Sequence, residues 1–104
     1  MTVIADAPRE HCRRALSVLD RVLEESPERM AGELPEAVRA LVWLRDRLIE
    51  LRRADPGSRE VEARLGRTNA ILSVVTGGEY PLVGVRRQRI VEARDALAEL
   101  AEEL

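Results

Sequence analysis

Apolar residues recur at intervals of three and four in four stretches of this chain, separated by breaks that carry proline or glycine. That spacing predicts four amphipathic helices. In the first, expected over 7–25, Cys12, Ala15, Leu16, Leu19, Val22 and Leu23 form one stripe. Asp6 suits the N-cap, and Pro8 falls in the first turn, where its missing N–H costs nothing. Arg13, Arg14, Asp20, Arg21 and Glu24 lie off the stripe, and Glu10 with Arg14 makes a well-oriented i,i+4 pair. Ser26-Pro27 should end this helix, because the residue before proline disfavours the helical region. Glu28 to Glu33 reads as one short turn stopped by Gly32.

The second helix is expected over 35–53, opening at Leu34-Pro35-Glu36. Leu34, Val38, Leu41, Leu44, Leu48 and Leu51 make its spine, flanked by Val42 and Ile49 on one side and Ala37 and Ala40 on the other. A band covering more than half the circumference marks a central helix with more than one neighbour. Asp55-Pro56-Gly57-Ser58 is a turn, and either Asp55 or Ser58 can cap the third helix.

The third helix, expected over 57–76, points Val61, Leu65, Thr68, Leu72 and Val75 at the core. Its opposite side is a stripe of small residues: Ala63, Gly66, Ala70, Ser73 and Gly77. Gly77-Gly78 then stops the helix. The fourth, over 83–103, carries Val83, Ile90, Ala93, Leu97, Leu100, Ala101 and Leu104 on one face. Four such helices with short connections predict an all-α protein: a four-helix antiparallel up-down bundle, one domain over 1–104.

Composition narrows the function more than it names one. Hydrophobic residues make up 45% and charged residues 35% of the 104 positions, with no Phe, one Trp and one Tyr, so the core must be aliphatic. Few aromatics argue against a stacking platform for single-stranded nucleic acid. A net charge of −2 supplies no global field for DNA. All the basic residues are arginine, the side chain suited to bidentate pairing with carboxylate or phosphate. Cys12 has no second cysteine to pair with, which fits a reducing compartment, and the first residues have neither the basic nor the apolar segment of a signal peptide. No run is long enough to span a membrane. A cytoplasmic location is the expectation.

Catalytic groups are scarce. A carboxylate-bridged metal site needs two Glu-x-x-His segments, and His11 is the chain's one histidine. His11 and Cys12 are neighbours on a helix, so they point about 100° apart and chelate poorly. Cys12 lies on the apolar stripe, where an inert thiol belongs. Neither a metal nor another cofactor is expected, nor an enzyme.

What stands out is suited to contact. Trp43 falls on the polar side of its helix near Arg39, Arg47 and Glu50, which fits either an arginine-covered surface ring or a binding hot spot. Arg45 and Arg52 fall within the apolar band of the second helix, one heptad apart, and Arg87 and Arg94 show the same relation on the fourth. Their stems can cover the core edge, or their heads can join a network with carboxylates. Glu79 and Tyr80 precede a helix start that carries Arg86, Arg87 and Arg89, whereas acids normally occupy a first turn. An acidic protein partner or a phosphate could settle there, unless Glu79 folds back as a cap.

The leading expectation is a non-catalytic regulator, adaptor or accessory subunit acting by protein–protein contact. Ala63, Gly66, Ala70 and Ser73 would form its homodimer interface. The alternative is a nucleic-acid-associated regulator that uses the arginines of the last helix. A third reading, a small enzyme or ligand-binding bundle, needs an internal pocket lined by Thr68, Asn69, Arg45 or Arg94.

Overall fold

The computed structural model describes residues 8–24, 27–76 and 84–104, with side chains over 8–24, 33–76 and 87–104. These form four helices: α1 (Pro8–Glu24), α2 (Pro27–Ala54), α3 (Arg59–Thr76) and α4 (Gly84–Glu103). The protein is an all-α four-helix bundle. α1 and α3 each pack against both α2 and α4, while the diagonally related backbones stay apart. His11 and Arg14 meet Trp43, whereas Arg21 reaches Glu33 and Glu36, so partners descend along α2 as α1 ascends. The same opposite order joins α3 to α4, where Arg67 meets Glu103 while Val74 and Arg89 line one groove.

One aliphatic core results. Cys12, Leu19 and Val22 of α1 meet Leu41, Leu44 and Leu48 of α2, Leu72 and Val75 of α3, and Ile90, Leu97 and Leu100 of α4. Each buried Leu or Ile contributes roughly 1.5–3 kcal/mol, which makes this burial the main source of stability. Thr68 is the buried polar residue among those described; its hydroxyl donates to the Arg64 carbonyl at 2.9 Å, so it needs no partner across the core.

α2 departs from the periodicity reading. It begins at Pro27, not near Leu34, and runs unbroken through Pro35 for 28 residues. An interior proline forfeits one backbone hydrogen bond and crowds the preceding turn, at a cost of roughly 3 kcal/mol. Buried Leu34, Ala37 and Leu41 on either side of it offset that cost through tertiary packing. Pro27 therefore opens α2, where its fixed φ is already helical.

Leu51, assigned by phase to the spine, is 41% exposed. Because His11 stands beside Trp43 and the two helices run oppositely, the first residue of α1 comes level with about Arg47. α2 thus extends more than a turn past the described start of α1, and Leu51 lies on that extension. Between α2 and α3, Ser58 is the cap: its Oγ accepts from Val61 N at 3.2 Å and its carbonyl from Glu62 N at 3.2 Å. Asp55 serves the turn instead, its carbonyl accepting Ser58 N at 3.1 Å.

Candidate interaction surfaces

Trp43 is 45% exposed and sits on the seam between α1 and α2. His11 meets it edge to face, with ring centroids 5.7 Å apart, and the Arg14 guanidinium lies 5.8 Å from the ring centre. Arg14, expected to pair with Glu10, therefore covers the indole instead. Arg47, which with Arg39 is an intrahelical arginine neighbour of Trp43, donates to Glu50 at 2.7 Å. His11 is half-buried rather than an ordinary surface histidine, and its Nδ1 is shielded from solvent without a partner among the described residues. What the cluster leaves open is one apolar ring framed by a cation.

A second surface lies on α3. Ala63, Gly66, Ala70 and Ser73 are all exposed, so the small stripe does face away from the core. A Cβ built on Gly66 would meet nothing within 4 Å, which shows how open this face is. Beside it, α3 and α4 part to leave an apolar groove of about 310 Å³, floored by Ala70, Ile71, Val74, Ala93 and Ala96. Arg89 and Glu92 stand on its α4 wall.

The arginines at the start of α4 do not act as one group. Arg87 donates to the Leu23 carbonyl at 3.2 Å, capping the last turn of α1, while Arg89 turns to the α3 side. Residues two apart on a helix point roughly 200° from each other, and the two helix neighbours of α4 take up that divergence. Arg86 belongs to the first turn of α4, with its side chain outside the described residues. Glu79, Tyr80 and the Gly77-Gly78 stop lie outside them altogether.

Elsewhere the arginines tie helices together. Arg21 of α1 reaches Glu33 at 2.9 Å and Glu36 at 3.0 Å on α2. Arg52 of α2 meets Glu62 of α3 at 3.3 Å, and Arg94 of α4 meets Asp20 of α1 at 2.5 Å. The hydrogen bond Arg21 donates to Glu33, then the Glu33 charge, holds the guanidinium above its ordinary pKa; for Arg94 the hydrogen bonds it donates to Asp20 and then Asp95 do so. Exposed pairs of this kind contribute little each and chiefly fix which helix faces which. Periodicity placed Arg52, Arg87 and Arg94 within apolar bands, but their cross-helix partners required the tertiary arrangement.

Cys12 is fully buried, its thiol 3.5 Å from the Leu97 carbonyl it donates to. Burial pushes the thiol up to about 11, against a smaller downward pull from the Arg67 charge. A thiolate nucleophile is therefore disfavoured at neutral pH. Among the described residues, no group of three His, Cys, Asp or Glu side chains is placed to hold a metal ion, and no helix is long and apolar enough to cross a membrane. Comparison with protein-family models, curated proteins and solved structures finds no match for this chain.

Proposed function

We propose that this chain is a non-catalytic helical bundle that works by protein–protein contact, as a homodimeric regulator, adaptor or accessory subunit. The observation that carries the reading is the exposed small-residue face of α3, Ala63, Gly66, Ala70 and Ser73, merging at Ala70 with the apolar α3–α4 groove. Small side chains let a second helix approach closely and gain dispersion contacts along its length. Two-fold pairing adds charge complementarity, because Arg89 and Glu92 share one groove wall and each can meet the other's counterpart. A buried, protonated Cys12 suits a reducing compartment such as the cytoplasm. Trp43, with Arg14 at its edge, is the second contact point of this reading.

Phosphate contact by the last helix has less support, since Arg87 is engaged with α1 and Arg89 faces the other way. The test is the mass of the protein in solution by light scattering. Wild type should be a dimer and Ala70→Arg a folded monomer. A wild type that stays monomeric at high concentration removes the dimer.

A further inference from the structure

Between α2 and α3 runs a second groove, of about 350 Å³, whose chemistry differs from the first. Val38, Val42 and Leu72 give it an apolar floor, while Arg45, Asn69, Ser73 and Thr76 supply polar groups along its length. These positions recur at three and four on both helices, so the groove is a seam where two stripes face each other. Among the described residues, no carboxylate lines it.

Arg45 differs from the arginines that bridge helices. Arg21, Arg52, Arg67 and Arg94 each meet a carboxylate on a neighbouring helix. Arg45 meets Asp46, the next residue on its own helix, at a long 3.4 Å. Its Nε is shielded from solvent and has no hydrogen-bond partner among the described residues. A guanidinium fork in that state holds donors the fold has not used, at a site where an unmet buried donor is costly.

We infer that the α2–α3 groove binds a carboxylate carried on a short apolar body, with Arg45 as its anchor. The carboxylate fits the guanidinium fork in bidentate fashion, and a turn of the Arg45 head brings Nε to it as well. Asn69 and Ser73 can donate to the same group. A bound monoanion would replace the long Asp46 contact on Arg45, whereas a phosphate dianion would keep an uncompensated charge in the groove. The Val38, Val42 and Leu72 floor favours an aliphatic body over a fully polar one. Such a ligand can be a free aliphatic acid or the C-terminal end of a peptide. Self-association is not required for this site, although Ser73 borders the face proposed for it.

The experiment is amide chemical-shift titration of the whole protein with hexanoate, N-acetyl-leucine, hexanol and inorganic phosphate. Hexanoate or N-acetyl-leucine should shift the amides of 38–45 and 69–76, and the tighter of the two names the source. Arg45→Gln should weaken that binding about tenfold or more while thermal unfolding is unchanged, as expected for a lost charge-assisted pair. Arg45→Lys should recover part of it. Ala70→Arg should bind like wild type, which separates this site from dimer formation. Equal affinity in Arg45→Gln, shifts as strong with hexanol or phosphate, or no shift with either acid would each overturn the proposal.

Discussion

Arg67 Nη1 donates to both carboxylate oxygens of Glu103, at 2.8 and 2.7 Å, tying the middle of α3 to the last turn of α4. An acid at a helix C-terminus is ordinarily unfavourable, because the unpaired carbonyls there carry negative partial charge. Arg67 reverses that penalty, and Arg64 helps by donating to the Glu103 carbonyl at 3.2 Å. The Arg67 hydrogen bond, chiefly, holds the Glu103 carboxyl below its ordinary 4.5. A depressed folded-state value means the contribution is present above 4.5 and lost as pH falls through the folded value. Glu103→Gln should therefore lower Tm slightly at neutral pH, and the gap to wild type should close on acidification. Thermal melts across pH measure this; a gap independent of pH would mean the pair contributes nothing through its charge.

Cys12 gives the opposite limb of the pH profile. Its thiol ionises near the ordinary 9.0 when unfolded and at about 11 when folded. The folded state binds its proton more tightly, so this contribution is intact below 9.0 and lost as pH climbs toward about 11. A colourless disulfide reagent should label native protein very slowly at pH 8 and label it at once in denaturant. Rapid native labelling would mean the α1–α4 seam opens far more readily than its packing implies.

Gly66 separates stability from assembly. It lies inside α3, where glycine costs roughly 0.5–1 kcal/mol relative to alanine, and a Cβ there meets no atom within 4 Å. Gly66→Ala should therefore raise monomer stability by about that amount in urea unfolding. If the stripe is the dimer contact, the same change should weaken dimerisation, since the added methyl holds the helices apart. A variant that is more stable and dimerises as well as wild type would place the contact elsewhere.

These residues also mark how far the sequence can be read. Cys12, Leu19, Leu44 and Leu97 lie on stripes that periodicity identifies directly, because helical spacing is a local property. Pro35 misled because local rules break a helix there, whereas the burial of Leu34, Ala37 and Leu41 sustains it. Leu51 differs for a related reason: its phase is correct, but it lies beyond the level of Pro8, where the described part of α1 begins. Trp43 was legible as off-core; that α1 supplies its cover through His11 and Arg14 was not, since spacing along one helix says nothing about another. The groove around Arg45 and Asn69 belongs to the same class. Both residues were candidates for an internal pocket; the α2–α3 seam brings them together on an open groove instead, while it leaves Thr68 in the core and Arg94 on α4 with Asp20.

Trp43 supplies the last prediction. Just over half of its surface is already covered, with His11 and Arg14 of α1 against the ring, so Trp43→Ala should destabilise the monomer by about 1–2 kcal/mol through lost apolar burial. Arg14→Ala should cost less, roughly 0.5–1 kcal/mol, the range for a cation–π contact at an exposed site. The exposed half should give red-shifted emission and ready acrylamide quenching in dilute protein. If Trp43 is a contact point, emission should move blue and quenching fall as concentration rises or a partner is added, and Arg14→Ala should weaken that response. Emission unchanged across the whole concentration range, together with unimpaired self-association of Trp43→Ala, would make the ring an internal strut of the α1–α2 seam.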